Sequence, residues 1–147
     1  MKNLLVSALI VLILGFVSTV CDADAEKGMV CPVSGKKATK VSAEYHGGEV
    51  YFCCKNCLKA FQADSAKFSV KANEQLIKTG QASQEKCPIS GGKMKQGTAL
   101  DVDGIPVAFC CKNCRKKVDQ ASGDAQLALV FGDDAFKKGF AVTKQSN

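Results

Sequence analysis

Apolar and polar residues divide the chain into a hydrophobic N-terminal segment and a longer mixed region. Leu4 to Val20 is almost uninterrupted apolar sequence, and the small-x-small tripeptide at residues 23–25 follows it. A positively charged start, an apolar stretch and such a tripeptide are the three parts of a secretory signal peptide. We therefore predict a signal helix over residues 1–25, with cleavage after Ala25.

This segment also sets the expected location. Cleavage predicts a periplasmic or secreted protein, which meets a membrane only through this segment before its removal. The alternative is an uncleaved membrane anchor, because the apolar stretch approaches the length that spans a bilayer. Lipidation at Cys21 is disfavoured by the bulky Val20 before it.

The mixed region contains two stretches in which apolar and polar residues alternate. Residues 38–52 alternate on both sides of a glycine-containing turn at 46–48, and residues 98–109 alternate around the Asp-Gly pair at 103–104. Period-two alternation is typical of half-buried strands, and these turn sequences favour tight reversals. Each stretch therefore predicts a β-hairpin.

Helical patterns follow each hairpin. One helix is predicted to begin near Cys57 and its counterpart near Cys114, and a further helix is predicted over 73–79 and over 133–138, each ended by a glycine. Residues 81–86 are polar without periodicity, which predicts a linker. The phenylalanines predicted to lie in the core are Phe61, Phe68, Phe131, Phe136 and Phe140.

The same order of elements occurs twice because the sequence is duplicated. The hexapeptide Phe-Cys-Cys-Lys-Asn-Cys stands at 52–57 and again, letter for letter, at 109–114. The motif Cys-Pro-x-Ser-Gly opens each copy, at 31–35 and at 87–91. Self-similarity of this kind is the sequence signature of repeated structural units. A cysteine in such a turn is typical of the knuckles that hold metal ions.

These observations predict an α+β fold of two small treble-clef-like units. Each unit would be a β-hairpin with a cysteine knuckle and one or two helices, and the two would occupy residues 26–82 and 83–147. Units this small bury too little apolar surface to be comfortably stable alone. Metal ions or disulfides are therefore expected to stabilise them.

The nine cysteines of the 147-residue chain indicate which stabiliser to expect. Cleavage after Ala25 removes Cys21 and leaves eight, four in each repeat. Three thiolates with an optional fourth suit Cu(I) or Zn(II), so we expect one metal ion per repeat. The candidate metal ligands are Cys31, Cys53, Cys54, Cys57, Cys87, Cys110, Cys111 and Cys114.

The adjacent cysteines leave one ambiguity. Neighbouring side chains of a continuous strand point to opposite faces, so Cys53 and Cys54 would not easily hold the same ion. Either one could pair with Cys57, and the two-residue gap between Cys54 and Cys57 is common in zinc sites. Both alternatives remain open. The position of Cys57 and Cys114 at a helix start, beside lysines, predicts that these thiols ionise readily.

Charge and composition narrow the other possible functions. The formal net charge is +6, and many lysines stand near the cysteines, where they would offset the negative charge of a metal thiolate cluster. Aromatic residues do not alternate with these basic ones, so we expect no nucleic-acid partner. With one histidine and no recognisable carboxylate pair, we expect no enzyme activity.

Two rival interpretations use the same cysteines. A thiol-disulfide redox protein could use the Cys-Lys-Asn-Cys sequences at 54–57 and 111–114, although these lack the expected βαβ context. A structural or interaction module stapled by disulfides is the other alternative, since export favours disulfide formation.

The whole constellation resembles the TRASH and YHS families of small heavy-metal-binding modules. The resemblance covers nearly all of residues 31–80 and 87–125, through the cysteine spacing, the hairpin and the helix after the cysteines. It implies trafficking, sensing or resistance to metals such as copper, zinc or mercury, with a metal-transfer protein as a candidate partner. The ligands that it implies are Cys31, Cys53, Cys57, Cys87, Cys110 and Cys114.

Overall fold

The computed structural model describes residues 29–143, so the predicted signal segment at residues 1–25 lies outside the described residues. The described part of the chain is α+β, as predicted. In order, its elements are β1 (Val41–Tyr45), β2 (Gly48–Phe52), α1 (Lys55–Ala63), α2 (Ser65–Lys78), β3 (Ala82–Gln84), β4 (Leu100–Val102), β5 (Ile105–Val107), α3 (Lys112–Asp119), α4 (Gly123–Phe131), α5 (Asp133–Gly139) and β6 (Phe140–Val142).

Both predicted hairpins are confirmed. Strands β1 and β2 pair antiparallel, and β4 pairs with β5 in the same way. The turns between them place His46 and Asp103 at φ of +52° and +54°, each followed by a glycine with positive φ. Two successive residues with positive φ form the turn whose twist matches that of a hairpin. The duplicated sequence therefore folds into duplicated hairpins.

The helices extend further than the sequence pattern indicated. Helix α2 begins at Ser65, not near residue 73, because the Asp64 side chain accepts a hydrogen bond from the Lys67 amide and caps the helix. Helix α4 was not predicted at all. It buries Leu127 and Val130 against the rest of the protein.

The predicted linker at residues 81–86 contains a strand. Strand β3 pairs antiparallel with β6, and Ser83 lies opposite Ala141. This pairing joins the middle of the chain to the end of the second repeat. A three-residue strand that depends on backbone hydrogen bonds needs no apolar alternation, which is why the polar sequence did not indicate it.

Both repeats contribute to one hydrophobic core. Phe52 of the first and Phe109 of the second are fully buried, and helix α2 packs against α4 and α5. Of the predicted core phenylalanines four are buried, and Phe68 is half-buried against the core. Across the described residues, no helix combines the length and the apolar character needed to cross a membrane.

Candidate metal centre

A tight turn places the first cysteine of each repeat. In the first repeat the Gly35 amide donates to the Cys31 carbonyl over 2.9 Å, and the Cys31 amide donates to the Lys36 carbonyl over 2.8 Å. Gly35 has a φ of +69°, a conformation that glycine adopts without steric cost. The turn leaves Cys31 only 1% exposed. Cys31 therefore lies on the interior side of the site.

The second repeat builds the same turn. The Gly91 amide donates to the Cys87 carbonyl over 2.7 Å, and the Cys87 amide donates to the Gly92 carbonyl over 2.9 Å. Cys87 is fully buried, like its counterpart. Two stretches that share the Cys-Pro-x-Ser-Gly pattern thus fold into the same hydrogen-bonded knuckle.

The remaining cysteines come from the end of each hairpin and the helix that follows it. Cys53 directly follows β2, and Cys57 lies in the first turn of α1. In the second repeat Cys110 stands three residues after β5, and Cys114 lies in the first turn of α3. Because the helix starts immediately after the cysteine pair, its first turn brings the last cysteine back toward the knuckle.

Each repeat gathers three sulfur atoms. Any two sulfurs within a group lie no more than 4.8 Å apart, and Cys53 Sγ and Cys57 Sγ are separated by 3.5 Å. The corresponding distance between Cys110 Sγ and Cys114 Sγ is 3.6 Å. The groups, which we call the first and second triads, are Cys31, Cys53 and Cys57, and Cys87, Cys110 and Cys114.

These distances fit a shared metal ion. Zinc binds thiolate sulfur at about 2.3 Å, which puts two sulfurs of a tetrahedral site about 3.8 Å apart. Both triads are close to that spacing before any adjustment of side chains. Two cysteine clusters of this protein are therefore positioned to bind a metal ion, one in each repeat.

The structure places the adjacent cysteines outside the triads. Cys54 and Cys111 are the residues that precede α1 and α3, with extended backbone conformations. Cys54 Sγ lies 3.9 Å from Cys53 Sγ, and Cys111 Sγ lies 3.7 Å from Cys110 Sγ. Cys54 is exposed and Cys111 is half-buried. All eight thiols of the described residues are free.

The buried thiols of the knuckles ionise near neutral pH. Burial alone would raise the pKa of Cys31, but the Ser34 hydroxyl and nearby backbone amides outweigh it and lower the pKa to about 7. For Cys87 the backbone amide of Cys110 and the Ser90 hydroxyl overcome burial in the same way, and the pKa is again about 7. Each triad therefore has one thiol prepared to bind a cation.

The predicted ready ionisation of Cys57 and Cys114 is wrong. Hydrogen bonding with Cys53, followed by burial, raises the pKa of Cys57 to about 12, and burial with hydrogen bonding to Cys110 does the same for Cys114. Each triad therefore combines a knuckle thiol of lowered pKa with a helix thiol of raised pKa. A metal ion would displace the thiol protons on binding.

The knuckle serines complete the surroundings of the triads. Ser34 Oγ lies 3.2 Å from Cys53 Sγ, and Ser90 Oγ lies 3.1 Å from Cys110 Sγ. Once the sulfur is a thiolate, only the hydroxyl can donate in this hydrogen bond. A donor to a metal ligand fixes its orientation and tunes its affinity for the ion. The serines thus occupy the place where a second knuckle thiol would stand.

Sequence reasoning missed three glutamines that support the site. The Gln75 side chain forms hydrogen bonds with both the backbone amide and the carbonyl of Tyr51 in β2. The Gln81 side chain does the same with Glu49 in that strand. The Gln84 side chain forms hydrogen bonds with the backbone amide and carbonyl of Ala108, the residue before Phe109. Glutamine side chains thus take the place of a neighbouring strand. A single sequence carries no periodic signal for such contacts.

His46, the only histidine, lies in the predicted hairpin turn and belongs to neither triad. Its Nε2 is 3.2 Å from Asp133 Oδ1 of the other repeat. It belongs to the contact between the repeats.

Comparisons of the chain with protein-family models, with curated proteins and with solved structures give no match.

Proposed function

We propose that this protein is an exported binding protein for a soft or borderline metal ion. Each triad holds one ion of Cu(I) or Zn(II), and the protein acts in trafficking, sensing or resistance. The observation that supports this most directly is the convergence of three sulfurs from a knuckle, a strand end and a helix start, twice in one chain.

The donor chemistry favours this class of ion. Three thiolates select soft or borderline metals over magnesium and calcium, which prefer oxygen ligands. Cys31, Cys53 and Cys57 would hold the ion of the first repeat, and the equivalent residues would hold that of the second. The resemblance of the cysteine spacing to that of TRASH and YHS modules agrees with this proposal.

A thiol-disulfide redox protein is the second candidate. It is favoured by the exposed thiol of Cys54, whose pKa is lowered first by the Cys57 backbone amide and then by the Cys57 thiol. Against it, the sheets of the described residues are three antiparallel pairs, whereas a thioredoxin-like βαβ unit needs parallel strands. The two candidates make different predictions for bound metal and for oxidation.

Metal analysis of protein purified without oxygen tests the proposal. We expect about two ions per chain, which is one for each thiolate site. Replacing Cys57 with serine should remove one ion, and replacing Cys114 should remove the other. Two-ion stoichiometry that survives both changes would contradict the assigned ligands. A metal-free protein with a reversible two-electron thiol couple would support the redox function instead.

A further inference from the structure

Each triad has a fourth sulfur beside it on the side facing solvent. Cys54 Sγ lies 3.9 Å from the triad sulfur of Cys53, and Cys111 Sγ lies 3.7 Å from that of Cys110. These are the separations of two sulfurs that bind one ion. The fourth sulfur is therefore close enough to share an ion with the neighbouring triad sulfur, Cys53 or Cys110.

The knuckle cysteine and the fourth cysteine of each repeat differ sharply in burial. Cys31 is 1% exposed, and Cys87 is fully buried, so neither sulfur is accessible to another molecule. Cys54 is exposed and Cys111 is half-buried. The solvent-facing side of each group therefore carries Cys54 or Cys111, whereas the knuckle cysteine lies in the interior.

The surface around the fourth sulfur is basic in both repeats. Lys55 and Lys59 are exposed on α1, four residues apart and therefore on one face of the helix. Lys112 and Lys116 are exposed at the equivalent positions on α3. Positive charge beside a reactive thiol attracts a partner with an acidic surface and speeds its encounter.

We propose that Cys54 and Cys111 are exchange thiols that pass the metal ion between the buried triads and a cysteine thiol of an acidic partner protein. This inference rests on the proposed metal-binding function. The partner's thiol loses its proton and binds the ion, and the exchange thiol then dissociates and takes up a proton. Triad thiolates are replaced in the same way, so charge balances and no atom changes oxidation state.

The two repeats should exchange at different rates. Cys54 is more exposed than Cys111, so a partner thiol reaches the first site more easily. The first triad should therefore release its ion in a fast kinetic phase and the second in a slow one.

The test is the transfer of Zn(II) from the loaded protein to a synthetic peptide with two cysteines flanked by aspartates. A peptide flanked by lysines is the matched probe for charge. We expect two phases with the acidic peptide and slower transfer to the basic one. Replacing Cys54 with serine should remove the fast phase while both ions stay bound at equilibrium, and replacing Cys111 should retard the slow phase.

The exposed neighbours supply the control, because Asn56→Ser and Asn113→Ser change the same surface without removing a thiol. Unchanged transfer in Cys54→Ser and Cys111→Ser, with both ions retained, would overturn the exchange role and leave the binding function intact. Loss of an ion from either variant would overturn it as well, by making that thiol a permanent ligand. A wild-type protein that binds no Zn(II) or Cu(I) would instead refute the proposed function.

Discussion

The Gln84 side chain forms hydrogen bonds with both backbone polar groups of Ala108. Gln84 Nε2 donates to the Ala108 carbonyl over 2.7 Å, and the Ala108 amide donates to Gln84 Oε1 over 2.9 Å. Gln75 holds Tyr51, the equivalent residue of the first repeat, over 3.0 Å and 2.7 Å. Both held residues stand two positions before a triad cysteine. The same support thus comes from strand β3 in one repeat and from helix α2 in the other.

Replacing Gln84 with alanine should weaken the second triad selectively. The change removes partners from the Ala108 amide and carbonyl, and we expect the free energy of unfolding to fall by roughly 1 to 3 kcal/mol. Denaturant unfolding measures this loss. Zn(II) competition with a chromogenic chelator should show weaker binding at the second site, and Gln75→Ala should weaken the first.

Gln62 provides the matched control, since it is exposed on α1. Gln62→Ala should change neither stability nor zinc affinity appreciably. Equal weakening of both sites by Gln84→Ala would show that Gln84 does not act on the second site through its contact with Ala108.

Replacing Ser34 or Ser90 with alanine should lower metal affinity without changing stoichiometry. Each variant removes the hydroxyl donor to Cys53 or Cys110, at 3.2 Å and 3.1 Å. Loss of such an outer contact typically costs about 10- to 100-fold in metal affinity. Competition titration with Zn(II) checks this, with the exposed Ser122→Ala as a control.

Replacing Ser34 with cysteine should have the opposite effect on zinc affinity. Ser34→Cys places a thiol where the hydroxyl now lies beside Cys53 and should complete a four-thiolate zinc site. We expect tighter Zn(II) binding in the first repeat only. Weaker binding in Ser34→Cys together with unchanged binding in Ser34→Ala would show that the hydroxyl does not act on the site.

The duplicated part of the fold could be predicted because local chemistry determines it. The turn at His46 and its counterpart at Asp103 need the residues that tolerate positive φ, and the knuckles need their glycines. These features recur in the sequence, so each copy supports the prediction made from the other. The gathering of Cys31 with Cys57 follows from the order of turn, hairpin and helix.

The unpredicted parts depend on contacts between distant residues. Helix α4 has apolar residues on most of its surface, including Leu127, Leu129 and Val130, and so shows no clear one-sided stripe. Strand β3 forms only because β6 returns to it. The raised pKa of Cys57 depends on the nearness of Cys53 and on burial, which the spacing along the chain does not give.

Acid should weaken the contact between the repeats at Asp133. Burial raises the pKa of Asp133, but hydrogen bonds from Asn73, Tyr45 and His46 outweigh it and hold the pKa below the usual 3.8. A carboxyl whose pKa is lower in the folded state stabilises fully above its unfolded pKa. That contribution is lost as the pH falls through the folded-state pKa, in the region below about pH 4.

The measurement compares the unfolding free energy with and without the change Asp133→Asn, in both cases in a His46→Asn background so that the imidazole charge does not contribute. Asparagine suits the positive φ at residue 46. The difference in unfolding free energy should be constant between about pH 5 and 7 and should shrink below about pH 4. A difference that grows with acid would contradict the lowered pKa.

Gly139 lies against the knuckle of the second triad, and replacing it with alanine should disturb that site alone. An added Cβ would lie 2.8 Å from Pro88 Cα and 3.0 Å from Pro88 N. The backbone cannot easily move away, because the Gly139 carbonyl accepts hydrogen bonds from the amides of Glu85 and Lys86. Overpacking of this kind typically costs about 1 to 3 kcal/mol, and Pro88 directly follows the ligand Cys87.

We therefore expect Gly139→Ala to bind its second zinc ion more weakly than the wild-type protein and to keep the affinity of the first. Competition titration reports the two affinities, and Lys138→Ala, at the exposed neighbouring position, should leave both unchanged. Equal weakening of both sites would mean that the strain spreads through the shared core. Unchanged affinity at both sites would mean that Pro88 and its knuckle move aside without affecting the position of Cys87.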